Sequence, residues 1–347
     1  MHKVLITGNM GYVGPELVKH LRKKHPQIFL MGFDIGYFAR NLTTNGLSPE
    51  SYLDVQYFGD MRTFPENILK EVDTIIHLAA ISNDPIGNKY EEITFNINHK
   101  ASVDLAVKAK KAGVKKFVFA SSCSIYGAAG EGARNENDQL NPLTAYAKSK
   151  VKTESDLQGL SDDRFNVICL RFATACGMSD RLRLDLVLND FVASAYLKNE
   201  ITILSDGTPW RPLINVKDMA RAIDWAGGHS PENSFLAINV GSSQWNYQVK
   251  SLAEKVAELI PGTRVDINKN ASPDKRSYQV NFDKFKRLAP QHLPQYDLTT
   301  TISDLIKGLK EINFNDQNFR QSRLMRLNEL EYLRNIEVID ANLHLQF

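Results

Sequence analysis

Lys3-Val4-Leu5-Ile6-Thr7-Gly8-Asn9-Met10-Gly11-Tyr12-Val13-Gly14-Pro15-Glu16-Leu17-Val18-Lys19-His20-Leu21 opens the chain with two different periodicities joined by a glycine-rich segment. Its first five residues form a short, β-branched apolar run, as expected of a buried parallel strand. Three glycines follow at a spacing of three, and then apolar residues recur at helical intervals. Strand, glycine turn and helix in that order are the context a dinucleotide fingerprint needs. Glycine lets the backbone approach a pyrophosphate, whose charge then rests on the helix N-terminus. The turn Gly8, Asn9, Met10, Gly11, Tyr12, Val13 and Gly14 is therefore assigned to a cofactor.

Further strands extend this reading. Ile28-Phe29-Leu30-Met31-Gly32-Phe33 ends at Asp34, twenty residues beyond Gly14. A carboxylate there accepts hydrogen bonds from both ribose hydroxyls and repels a 2′-phosphate, which selects NAD over NADP. Gly59-Asp60-Met61 offers a second carboxylate within reach of an adenine amino group. Thr74-Ile75-Ile76-His77-Leu78-Ala79-Ala80 runs as a buried strand into a turn whose small residues admit a nucleotide. His77 reads as structural rather than as an acid or base.

Tyr146-Ala147-Lys148-Ser149-Lys150 places a phenol and an ammonium four residues apart, on one face of a helix. The ammonium favours the phenolate, so a group with a pKa of about 10 becomes usable as a base nearer neutrality. By itself this pattern most often marks a solvated pair on a surface helix. Following a dinucleotide turn, it predicts a proton-transfer group beside the cofactor.

With these pieces in place the chain resembles the extended short-chain dehydrogenase/reductase family of nucleotide-sugar epimerases and dehydratases. The resemblance adds Asn96 in Phe95-Asn96-Ile97-Asn98, Ser121-Ser122-Cys123-Ser124-Ile125-Tyr126-Gly127, and Arg211-Pro212-Leu213-Ile214-Asn215-Val216-Lys217-Asp218. It implies a catalytic set of Ser122, Tyr146 and Lys150, with Ser122 holding the sugar hydroxyl that Tyr146 deprotonates. It also implies cofactor contacts at Asn96, Tyr146 and Lys150, the lysine holding the nicotinamide ribose, and substrate contacts at Ser122, Thr174, Asn189, Arg211 and Arg276. The two arginines would suit a pyrophosphate through their parallel donors.

Departures from the family pattern narrow the chemistry. Cys123-Ser124 stands where 4,6-dehydratases carry an Asp-Glu pair, which argues against that elimination. Cys123 is offset by one residue from the cysteine of the 3,5-epimerase/reductases, and a one-residue shift turns a strand side chain to the other face. Hydride transfer at a sugar carbon remains, with C4 the expected position, and the motifs leave 4-epimerase, 4-dehydrogenase and 4-ketoreductase open. The run Arg181-Leu182-Arg183-Leu184-Asp185-Leu186-Val187-Leu188-Asn189-Asp190-Phe191, with Pro273-Asp274-Lys275-Arg276-Ser277-Tyr278, is similar to a bacterial branch acting on GDP-heptose in surface-polysaccharide synthesis. Asn83 and Asp84 are read either as sugar contacts or as helix caps. Dinucleotide-binding regulators of this fold usually lack the tyrosine or lysine, so an enzyme is expected.

The expected architecture is α/β: a Rossmann-type, doubly wound parallel sheet with a smaller α/β substrate lobe. Residues 1–171 and 212–244 are assigned to the NAD-binding domain, and 172–211 and 245–312 to the nucleotide-sugar lobe. An amphipathic C-terminal extension, 313–347, is expected to dock on the body or on a partner. The resemblance implies a homodimer through the helix around 91–112 and the Tyr146 helix.

Composition agrees with a globular protein of 347 residues, 43% hydrophobic and 24% charged. A net charge of +2 gives no reason to expect nucleic acid. Cys123, Cys169 and Cys176 lack metal spacing, so no metal is expected and the thiols suit a cytoplasmic location. No membrane span or signal peptide is read in the sequence.

Overall fold

The computed structural model describes residues 1–346 other than 83, 269–270 and 272–275, and only the backbone of Asp84, Ala129 and Glu131. Asn83 and the stretch 273–275 therefore lie outside the described residues, and the two readings of Asn83 and Asp84 are left there.

Seven parallel strands form the central sheet. From one edge to the other they are Phe235–Val240, Asn166–Phe172, Lys116–Ser122, Thr74–His77, Lys3–Thr7, Phe29–Asp34 and Val55–Phe58. The chain winds outward both ways from Lys3–Thr7, so the order reverses between that strand and Thr74–His77. Their register pairs Thr7 with His77, which sets Gly8 and Leu78 side by side at the crevice where such sheets bind ligands.

Unbroken apolar runs are required because both faces are covered. Val4, Ile6, Ile76, Val118, Ile168 and Leu170 face a core shared with Leu17, Leu21 and Ile223. Their neighbours Leu5, Ile75, Phe117, Phe119, Val167 and Cys169 face a second core with Leu105, Ala109 and Leu157. The alternation places helices Gly14–Lys24 and Val216–Gly228 on one side and Ala101–Lys111 and Ala145–Leu160 on the other.

Gly14 shows why the turn needs glycine where the helix begins. A Cβ there would lie 1.9 Å from the Asn9 carbonyl oxygen, a backbone atom with no rotamer to yield. Gly14→Ala is expected to lower unfolding free energy by about 1–3 kcal/mol or more, read from denaturant unfolding. Unchanged stability would show that the turn relaxes freely.

The smaller lobe gathers helices Val187–Lys198, Val249–Leu259 and Leu298–Glu311 around Leu188, Val192, Leu252, Ile302 and Leu305. Part of the span assigned to it departs. Tyr278, Val280, Phe282 and Phe285 pack into the first core with Trp225, because the chain crosses back under the large sheet. The C-terminal extension divides as well. Phe319 joins the small-lobe core, whereas Leu330, Leu333, Ile339 and Leu343 cover Tyr37, Ile81, Ile86 and Tyr90 of the large lobe.

Candidate active site

A cavity of about 880 Å³ runs along the crevice from Asp34 and Asp60, past the glycine turn and Tyr146, to Arg211 and Arg276. Gly8 adopts a left-handed φ of +73°, and a Cβ on it would stand 2.5 Å from the Ala79 nitrogen. That close approach joins the two halves of the crevice and leaves a flat cradle for a diphosphate, so the residues fit a dinucleotide. Gly11, Tyr12 and Val13 line the cradle, with Leu78, Ala79 and Ala80 opposite.

Three residues of the expected turn act from behind it instead. Asn9 is buried and donates to Gln56 at 2.6 Å. The Met10 side chain is buried, while its backbone N–H donates to Asp34 Oδ2 at 3.0 Å. Gly14 is packed against Asn9.

Asp34 also accepts from the Gly36 N–H at 2.7 Å, which holds the carboxylate at the cavity wall. Burial pushes its pKa up, against the pull of these two donors. Asp60 is held by the backbone N–H of Arg62 at 2.8 Å and by its guanidinium, with Met61 beside it on the wall.

Asn96, expected at the cofactor, does not line this cavity; it borders a smaller pocket with Arg62 and Lys100. The helix widens to a π turn over Asn96–Lys100, and this turns Asn98 inward. Asn98 accepts from the Ile81 N–H at 2.7 Å and donates to the Ile81 carbonyl at 2.8 Å, fixing the loop after Ala80. His77 sits under the crevice between Thr7 Oγ1 and Ser102 Oγ, at 2.6 and 2.7 Å. Burial, helped by the charge of Lys150, pushes its pKa down to about 3, so it stays neutral.

Ser122, Tyr146 and Lys150 converge on one wall. Ser122 ends its strand, and its Oγ accepts from the Ser124 N–H at 3.1 Å. Tyr146 and Lys150 lie in the first two turns of helix Ala145–Leu160, which Thr144 caps by accepting from the Ala147 N–H at 3.2 Å. Lys150 Nζ donates to the Ala120 carbonyl at 2.6 Å and lies 5.5 Å from the centre of the Tyr146 ring. Burial pushes the Lys150 pKa down to about 7, with Glu154 opposing the fall.

Behind this wall Glu154 takes Arg171 through bonds of 2.8 to 3.2 Å and accepts from Ser121. The pair ties the Tyr146 helix to two strand ends. Glu154→Leu leaves a buried guanidinium without its carboxylate and is expected to cost about 3–5 kcal/mol, measurable by chemical denaturation. A loss under 1 kcal/mol would contradict that role. Cys123 is turned from the cavity, its Sγ 3.1 Å from the Arg171 carbonyl oxygen.

At the far end Thr174, Arg211 and Arg276 line the cavity. Arg211 Nη1 donates to the Trp210 carbonyl at 2.9 Å and to that of Arg276. Asn189, expected to touch substrate, does not line the cavity. Fully buried, it accepts from the Gly177 N–H at 2.9 Å and donates to the Arg183 carbonyl at 2.9 Å, bracing the loop between them.

Several lining residues had no assigned role: Arg183 and Asp185, paired at 2.9 Å, Ser124, and Arg320, Met325 and Arg326 from the extension. For Arg183 a signal existed. In Arg181-Leu182-Arg183-Leu184-Asp185 charge alternates with leucine, and Leu182 and Leu184 are fully buried. Among the described residues no cluster of His, Cys, Asp and Glu is arranged for a metal, and no helix is long and apolar enough to cross a membrane.

Comparison with known proteins agrees with this geometry. Residues 4–241 match the model of the NAD dependent epimerase/dehydratase family. The chain is 28% identical over 251 residues to an uncharacterised UDP-glucose epimerase of Bacillus subtilis (strain 168), covering 70% of this chain and 77% of that one. Its fold is similar to that of a UDP-glucuronic acid 4-epimerase from Bacillus cereus solved with UDP-glucuronic acid and NAD. That match has a TM-score of 0.76 at 21% identity and covers 89% of this chain and 99% of the other. The fold is equally similar to that of an NDP-hexosamine 5,6-dehydratase of tunicamycin biosynthesis, with a TM-score of 0.77 at 21% identity over 92% of this chain and all of the other. Family match, glycine cradle and serine–tyrosine–lysine wall agree, and the chain belongs to the NAD-dependent epimerase/dehydratase family, an enzyme whose cofactor is NAD.

Proposed function

We propose that the protein is a nucleotide-sugar 4-epimerase that oxidises its substrate at C4. The observation that carries this reading is the placement of Ser122, Tyr146 and Lys150 between a dinucleotide cradle and a far end lined by Arg211 and Arg276. A nucleotide-diphosphate sugar lying with its diphosphate toward the arginines brings its sugar to the tyrosine.

Bound NAD supplies the hydride acceptor. Ser122 orients the C4 hydroxyl, and Tyr146 Oη takes its proton as the C4–H bond breaks. Lys150, held by the Ala120 carbonyl, faces the phenol and stabilises the phenolate. Ser124 lines the same wall with a buried hydroxyl that has no partner among the described residues, and it can receive a second sugar hydroxyl. In the redox-neutral outcome the 4-keto sugar is reduced on its other face and leaves as the C4 epimer.

The extension lying along the cavity supports a retained, recycling cofactor over one exchanged at each turnover. The reading includes a homodimer through the helices around 91–112 and Ala145–Leu160, and a role in making sugars for surface polysaccharide in the cytoplasm.

The test is a panel of GDP-, UDP-, CDP- and dTDP-sugars incubated with the purified protein, with products followed by mass and NMR. Unchanged mass with inversion at one carbon and no demand for added NAD is the expected result. Loss of two mass units with accumulating NADH makes it a 4-dehydrogenase instead.

A further inference from the structure

The C-terminal extension brings an arginine into the cavity that no neighbouring carboxylate balances. Arg326, at the start of helix Arg326–Asn335, is 1% exposed and lines the cavity. Its Nη2 donates to the Arg181 carbonyl at 2.9 Å, and its guanidinium lies 4.4 Å from the centre of the Phe38 ring. Its Nη1 has no hydrogen-bond partner among the described residues. Nearby carboxylates are engaged elsewhere: Glu50 by Arg181, Asp185 by Arg183, and Glu329 by Arg323. Burial, then the charge of Arg183, pushes the Arg326 pKa down to about 9, so it remains a cation at neutral pH. A buried cation without an anion is costly, and the cost is removed when one binds.

Position identifies the anion. Phe38 lies four residues beyond Asp34 on the ribose side of the cavity. The segment bearing Arg181 is tied to the glycine turn, because Ser179 Oγ donates to the Tyr12 carbonyl at 2.7 Å. Arg326 is thus joined to the glycine turn through the short segment 179–181, and both line the same cavity. The extension is latched over that end: Tyr37 donates to the Leu343 carbonyl, and Arg62 donates to those of Asn342 and Leu343 at 2.7 and 3.0 Å.

We infer that Arg326 is an anion ligand for the cofactor diphosphate, supplied by the extension, which thereby serves as a latch on the bound dinucleotide. The inference rests on NAD as the cofactor. A diphosphate also occurs in the nucleotide-sugar substrate, and the two sources are separated by binding each alone.

The experiment uses the full-length chain freed of nucleotide, with Arg326→Met and Arg326→Lys, titrated calorimetrically with NAD, ADP-ribose and UDP. Arg326→Met is expected to weaken NAD and ADP-ribose at least tenfold and to leave UDP within twofold. Arg326→Lys, which keeps the charge, recovers part of the loss. Without ligand, Arg326→Met melts no lower than the wild type, because it removes an unbalanced buried charge, and this separates lost binding from misfolding. NAD affinity within twofold of wild type in Arg326→Met overturns the proposal, as does a loss confined to UDP. A wild-type protein that binds neither NAD nor ADP-ribose refutes the cofactor assignment itself, and the latch falls with it.

Discussion

Tyr146→Phe lowers kcat by about 10²–10⁴-fold, the range a positioned proton-transfer group contributes. The ring remains in place against Lys150 and only the hydroxyl is removed. Substrate KM and bound NAD content therefore stay near wild type, because Ser122, Arg211 and the glycine cradle are untouched. Steady-state kinetics with a responsive nucleotide sugar, together with NAD released on denaturation, reads both. If kcat fell less than fivefold, Tyr146 would not be the base. If NAD were lost as well, the effect would be on binding and the experiment would not report chemistry.

Lys150→Met separates function from stability. Turnover is expected to fall by a similar factor, since the phenolate loses the cation that stabilises it. The ligand-free protein, however, becomes more stable at neutral pH. Lys150 has a folded pKa of about 7 against an ordinary value of 10.5, so the folded state holds fewer protons than the unfolded between those limits. Stability from this group therefore rises with pH across that window, and the cost of burying its charge is largest at and below pH 7. That cost is on the order of a few kcal/mol. The melting temperature of Lys150→Met should exceed wild type most at pH 7 and converge toward it by pH 10. A variant less stable at pH 7, with a gap constant in pH, would show that Lys150 contributes by packing alone.

The parts legible in the sequence are those that depend on local chain geometry. Gly8 is demanded by a positive φ and by contact with Ala79; Asp34 ends a strand whose register places it at the crevice. Tyr146 and Lys150 share a helix face whatever surrounds them. Asn96 and Asn189 were misplaced for different reasons. Asn96 enters through the family resemblance, whereas the asparagine that reaches the crevice loop is Asn98, two residues on and turned inward by a π turn. Asn189 lies beside the cavity-lining Asp190, but its side chain turns into the small lobe to hold Gly177 and Arg183. Arg326 is the hardest case. Basic residues between apolar ones read as a solvated face, and only its distant contacts with Phe38 and Arg181 show that this one is buried.

Hydride transfer from C4 is the step on which the proposed reaction depends. It is tested most directly with a nucleotide sugar deuterated at C4, chosen from the responsive members of the panel and mixed with a molar excess of NAD-loaded enzyme. The reaction is quenched within one turnover, and the released nicotinamide cofactor is examined by mass spectrometry. Deuterated NADH appearing and decaying as the sugar inverts is the predicted result. Inverted product formed with no deuterium ever on the cofactor, or with deuterium lost to water, would contradict the account.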